Sequence, residues 1–155
     1  MKFKNPLITV SDMEKSKLFY KEVLGLRVVL DFGANVTLSG GVCLQTKETW
    51  QEFIKKSDEE ICFGSNSFEL YFEEDDFDVF IDKLNTIEYI EYVHPVIEHG
   101  WGQRVVRFYD LDKHIIEVGE NIKVVCKRFL DSGLSVEQTA KRMDVPLSFV
   151  QSCVK

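Results

Sequence analysis

The residues best suited to chemistry lie in and around one stretch, Arg104–Gly119, which reads RVVRFYDLDKHIIEVG. Val105, Val106, Phe108 and Tyr109 precede an Asp-Leu-Asp turn, and Ile115, Ile116 and Val118 follow it, which predicts a strand, a tight turn and a second strand. Side chains alternate along a strand, so Glu117 shares a face with Ile115 and Gly119. A carboxylate flanked by Ile and Val costs several kcal/mol if it is buried alone. Glu117 must therefore sit at an edge, pair with a cation such as Arg104 or Arg107, or line a polar cavity as a general base or ligand. Phe68-Glu69-Leu70-Tyr71 also alternates, placing Glu69 on one polar face with Tyr71 and Glu73. Between these strands, His99-Gly100-Trp101-Gly102-Gln103-Arg104 joins a titratable ring, an aromatic and a cation in a glycine-hinged loop that can close on a ligand. His94 and His114 stand beside Pro95 and the turn, where a structural role suffices.

The elements that must position these groups form a repeated pattern. Leu7–Val10 reads as a strand, followed by Ser11-Asp12-Met13-Glu14 as a capping box with Ser11 at the N-cap. Met13, Phe19, Tyr20, Val23 and Leu24 give the helix that follows its inner face, and Gly25 stops it. Leu26–Leu30, Val36–Leu38 and Val42–Gln45 are three further strands. Trp50, Phe53 and Ile54 mark a short connecting helix. The order then recurs: strand Phe68–Glu73, a helix built on Phe77, Phe80, Ile81 and Leu84, strand material at Tyr89–Val93 and Val96–Ile97, and the closing hairpin. The last 35 or so residues change character. Val124–Asp131 reads as a helix, Ser135-Val136-Glu137-Gln138 caps a second, and Pro146 opens a third.

Composition narrows the classes. The 155 residues suit one domain with a small appendage, and 45% hydrophobic residues with 12 Phe support a core. A formal charge of −7 argues against nucleic acid as the default partner. No apolar run reaches the roughly 18 to 20 residues of a membrane span, and the N-terminus does not read as a secretory signal. Cys43, Cys62, Cys126 and Cys153 are scattered, which fits reduced thiols in a cytoplasmic protein.

With both modules in view, ITVSDMEKSKLFYKEVLGL near the start, FELYFEEDDFDVFIDKL, and the stretch from His94 to Glu120 resemble the vicinal oxygen chelate superfamily of glyoxalases, bleomycin-resistance proteins and extradiol dioxygenases. The resemblance spans residues 3 to 119. It implies an α+β fold of two βαβββ modules (about 1–47 and 66–119) forming a cupped mixed sheet, completed by homodimerisation, with residues 120–155 as a helical tail. In the final turn Leu111 stands where the family often has Pro, and Lys113 where it usually has Gly.

Metal-dependent members take ligands from four inward strand positions, which correspond here to Asn5, Cys43 or Gln45, Glu69 and Glu117. None is His, so the two-His-one-carboxylate iron set is not reproduced. A divalent metal held by Asn5, Glu69 and Glu117 would be an oxygen-preferring ion such as Mg or Mn. The resemblance implies a protein that takes a small polar or carbonyl-bearing molecule in the cup. It would act as a lyase or isomerase with Glu117 as catalytic base or ligand, or as a metal-free binding or sequestering protein. Cys43, Gln45, Trp50, Tyr71, His99, Trp101 and Arg104 are the expected substrate contacts. The tail resembles a helix-turn-helix, and its Lys123, Lys127, Arg128, Lys141, Arg142 and Lys155 outnumber its acids. A ligand-responsive DNA-binding regulator is the second alternative, disfavoured because Leu147–Val154 offers only Ser148, Gln151 and Ser152 as polar reach.

Overall fold

The computed structural model describes residues 1–154; Lys155, counted above in the charge of the tail, lies outside them. Two compact units divide the chain. The first comprises residues 1–66 with 110–114, the second residues 67–109 with 115–154.

In the first unit, β1 (Leu7–Val10), β2 (Val28–Asp31), β3 (Asn35–Leu38) and β4 (Cys43–Thr46) form a mixed sheet of order β1-β4-β3-β2, with β1 parallel to β4. Helix α1 (Met13–Leu24) buries Phe19, Tyr20 and Val23, while Ile8, Val10, Val36, Leu38 and Leu44 fill the sheet's apolar side. Its N-cap is Asp12, not Ser11: the Asp12 side chain accepts from the Lys15 N–H at 3.0 Å. The Ser11 amide is instead held by the Asp112 carboxylate at 3.0 Å, which fixes the chain one residue before the observed cap. Gly25 closes the helix at φ +70°. Helix α2 (Lys47–Ile54) and a single 3-10 turn at Asp58–Glu60 follow.

The second unit repeats the pattern. β5 (Glu69–Glu74), β6 (Glu91–Glu98), β7 (Arg104–Tyr109) and β8 (Ile115–Glu120) are ordered β5-β8-β7-β6, with β5 parallel to β8. Helix α3 (Phe77–Asn85) buries Phe77, Phe80 and Leu84. Leu70, Val105, Val106, Phe108, Ile116 and Val118 are the buried hydrophobic residues of its strands. The expected α+β fold with its duplicated strand–helix–strand–strand–strand order is thus present. One detail differs. The two strand fragments around His94-Pro95 are one continuous strand, β6, whose register with β7 shifts between Tyr92 and His94 and again between His94 and Ile97. β6 is an edge strand, where a proline without an N–H is tolerated at a bulge.

Three tail helices complete the second unit: α4 (Ile122–Asp131), α5 (Val136–Met143) and α6 (Leu147–Cys153). They enclose their own core of Val125, Cys126, Ala140, Met143, Val150 and Cys153. The Ser135–Gln138 capping box forms as the sequence predicts. Among the described residues, no helix is long and apolar enough to cross a membrane.

Candidate functional site

The polar face of the second sheet follows from strand parity. Glu69, Tyr71 and Glu73 of β5 lie opposite Ile115, Glu117 and Gly119 of β8, and these lie opposite Tyr109, Arg107 and Val105 of β7. At the centre, the Arg107 guanidinium forms an ion pair with Glu117 and donates from Nε to Glu69 Oε2 at 2.9 Å. Glu117 is only 6% exposed, so a cation beside it is the arrangement that makes burial tolerable. The same guanidinium approaches His94 Nε2 at 3.2 Å. A guanidinium can only donate, so this ring nitrogen accepts, and His94 Nδ1 carries the proton toward the Pro95 carbonyl at 2.7 Å.

A second polar chain crosses the rim of this face. Gln103 donates from Nε2 to the Tyr71 hydroxyl at 2.9 Å and to the Glu120 carbonyl at 2.8 Å. Its Oε1 accepts from Trp101 Nε1 at 3.0 Å, and the Tyr71 hydroxyl donates to Glu73 at 2.9 Å. Gly119 makes room for this chain, since a Cβ there would lie 2.9 Å from Gln103 Nε2. The His99 and Trp101 rings stack with centroids 4.3 Å apart and planes 21° from parallel. Trp101 is 39% and Tyr71 48% exposed, so this strip of aromatic and polar surface is open to solvent. Burial, with the positive charge of Arg107 and the neighbouring His94, holds the His99 imidazole below its ordinary range. Burial raises the Tyr71 phenol, an effect opposed by the hydrogen bond from Gln103 and reinforced by Glu73.

The expected site residues separate into two groups. Glu69, Glu117, Tyr71, His99 and Trp101 share the polar face or its rim in the second unit. Arg104 belongs to the opposite parity. Its guanidinium bonds Glu120 and Asp78, at 2.7 Å each for the shortest contacts, and lies over the Phe77 ring at 5.2 Å, so it faces α3. Asn5, Cys43, Gln45 and Trp50 belong to the first unit. Asn5 Nδ2 donates to the Gly41 carbonyl at 2.6 Å, and Cys43 is buried beside Thr37 Oγ1 at 3.4 Å. Gln45 is buried, accepts from Asn35 Nδ2 at 2.8 Å, and reaches the Thr49 hydroxyl with its own amide. Trp50 is half-buried on α2. Counted from the strand ends, Val10–Thr46 in the first sheet and Glu74–Glu120 in the second, the Thr37–Cys43 pair occupies the register position that Arg107–Glu117 occupies in the second sheet. Duplication has preserved a cross-strand polar pair while only one copy is charged.

Two residues were undervalued by sequence reading: His94, which meets Arg107, and Gln103, which ties the loop to Tyr71. The signal for Gln103 was available, since it shares parity with Val105 and Arg107. Among the described residues, no group of three or more His, Cys, Asp or Glu side chains is disposed to hold a metal ion.

Comparison with known proteins agrees with this architecture. A protein of unknown function from Agrobacterium tumefaciens is 38% identical, with 78% of this chain and 94% of that chain covered and a TM-score of 0.71. A glyoxalase-related enzyme from Fulvimarina pelagi shares the fold at 19% identity, with 76% and 87% covered and a TM-score of 0.62. A glyoxalase/bleomycin resistance protein/dioxygenase family enzyme from Burkholderia phytofirmans does so at 15% identity, with 76% and 96% covered and a TM-score of 0.64. No curated protein matches the chain. The family model for the glyoxalase-like domain matches residues 3–123, and the chain therefore belongs to that family, within the vicinal oxygen chelate superfamily.

Proposed function

We propose that this protein is a glyoxalase/bleomycin-resistance-like binder that takes a small polar, planar molecule on the second sheet's polar face without the help of a metal. The observation that carries this reading is the position of Arg107. Its guanidinium already pairs with both Glu117 and Glu69, the two carboxylates expected to ligate a Mg or Mn ion. A divalent cation seated on the same oxygens would have to displace a fixed positive charge, so the donor set does not fit a metal centre.

The chemistry left on the face favours an organic cation. Glu69, Glu73 and Glu117 contribute three carboxylates against the single Arg107 charge, and the stacked Trp101–His99 pair offers an aromatic surface. A planar cation gains from both, through cation–π contact and residual negative charge. Tyr71 and Gln103 add hydrogen-bonding groups at the rim for a carbonyl or amine of the ligand. The test is titration of a planar aromatic cation, acridine orange, at low ionic strength. Saturable binding that weakens in Trp101→Ala and Glu73→Gln supports the reading; equal binding by all three proteins, or none by the wild type, refutes it.

A further inference from the structure

The tail lies almost wholly beyond the matched family region, and two of its cations are spent on one loop. Arg128 donates from Nη2 to the Gly102 carbonyl at 2.6 Å and to Glu120 Oε2 at 3.0 Å. Arg142 donates from Nη1 to the Gly100 carbonyl, with its Nη2 3.6 Å from Glu98. Phe129 lies between the two guanidiniums, whose centres are 5.7 Å and 5.0 Å from its ring. The ring presses so closely on Gly102 that a Cβ there would lie 2.3 Å from Phe129 Cζ, and Gly102 itself adopts φ +90°. The loop's own bonds are few: His99 N–H to the Gln103 carbonyl at 2.9 Å, and Gly102 N–H to the His99 carbonyl at 2.8 Å. Two glycines in such a short turn leave its conformation weakly determined by local sequence.

We propose that the C-terminal helices are a brace for the 99–103 loop, with Arg128, Phe129 and Arg142 as positioning residues that fix how Trp101 and His99 are presented. Arg128 and Arg142 then serve the loop rather than a phosphate backbone. Each tail group meets a different point of the turn: a carbonyl before Trp101, a carbonyl after it, and the Cα of Gly102. Three fixed points hold the short segment against the sheet rim, where Gln103 links it to Tyr71. The consequence for ligand affinity rests on the binding reading above; the brace itself does not.

The experiment uses the full chain in a Trp50→Phe background, which leaves Trp101 as the one indole. Arg142→Ala is compared with its parent by acrylamide quenching of Trp101, by proton NMR titration of His99, and by acridine orange affinity. Release of the loop should raise the quenching constant by about two-fold or more. It should also move the His99 midpoint upward toward its ordinary 6.5, because the ring becomes more hydrated and moves away from Arg107 and His94. Dye affinity should fall by about ten-fold. Arg142→Lys, which keeps one donor for the Gly100 carbonyl, should restore part of each effect, and it replaces the alanine variant if that fails to fold. Unchanged quenching and an unchanged His99 midpoint would overturn the brace; a freed loop with undiminished dye binding would uphold the brace and overturn its consequence for ligand affinity. If the parent protein binds no dye, the binding reading fails by itself, and the two loop readouts decide the brace.

Discussion

Arg107 and Glu117 lie directly opposite each other on β7 and β8, and their ion pair occupies the centre of the second sheet's polar face. The hairpin makes this pairing automatic. Arg107 stands three residues before Asp110 and Glu117 three after His114, so any closure of the turn that pairs Asp110 with His114 brings the two side chains together.

Removing the cation should therefore be costly. Arg107→Ala leaves Glu117 buried without its partner and is expected to destabilise the fold by about 3 kcal/mol. Glu117→Gln, which keeps shape and an acceptor, should cost about 1 kcal/mol. Chemical denaturation of both variants and of the double variant Arg107→Ala/Glu117→Gln checks this. A coupling energy near zero would show that the pair is not interacting.

The parity of β7 explains why one arginine was legible and the other was misassigned. Arg107 alternates with Val105 and Tyr109 and faces Glu117, whereas Arg104 alternates with Val106 and Phe108 and faces α3. Both modules, their order and the tail's capping box could be read from periodicity and turn residues, because those signals are local. The N-cap of α1 could not. Asp112, a hundred residues away, takes the Ser11 amide and passes the capping role to Asp12. The engagement of Asn5 and Gln45 was equally hidden, since no local pattern reports that an amide is already satisfied by a distant carbonyl or hydroxyl. The brace on Gly100 and Gly102 spans 42 and 26 residues and left no trace beyond two glycines and a basic tail.

The buried Tyr20–Asp110 hydrogen bond, 2.7 Å long, predicts an alkaline limit to stability. Burial first, and then the Asp110 charge, push the Tyr20 phenol well above its ordinary 10.0. An unfolded chain ionises this phenol near pH 10 while the folded chain keeps it protonated, so its stabilisation is intact below about pH 10 and declines as the pH rises further. Tyr20→Phe should lose about 1.5 to 3 kcal/mol at neutral pH, as expected for a hydrogen bond to a charged partner. It should also show a shallower decline above pH 10. Denaturant titrations at pH 8 and pH 11 measure both effects; parallel declines in the two proteins would contradict the assignment.

Lys113 occupies the turn position where relatives usually carry Gly, and it adopts φ +66°. A left-handed conformation costs a side-chain-bearing residue about 1 to 2 kcal/mol, partly offset by the greater freedom glycine has when unfolded. Lys113→Gly should raise stability by about 0.5 to 1 kcal/mol, visible as a higher denaturation midpoint at unchanged slope. A loss of stability would show that the lysine side chain outweighs its backbone strain.

The four thiols should divide sharply in reactivity. Cys62 is exposed, whereas Cys43, Cys126 and Cys153 are buried, and burial beside Cys153 pushes the Cys126 thiol up to about 12. A chromogenic disulfide reagent at pH 8 should titrate one thiol rapidly in the native protein and the other three only after unfolding. Cys62→Ser should abolish the fast phase; a surviving fast phase would mean that the tail core opens readily.

The proposed function turns on Arg107 pairing with Glu69 and Glu117, the two carboxylates that the family resemblance marks as metal ligands. Elemental analysis of the purified protein, after incubation with excess Mn, Ni and Zn and removal of free ions, tests it most directly. The account predicts no stoichiometric metal in the wild-type protein. One tightly held ion per chain, lost in Glu117→Ala, would contradict it.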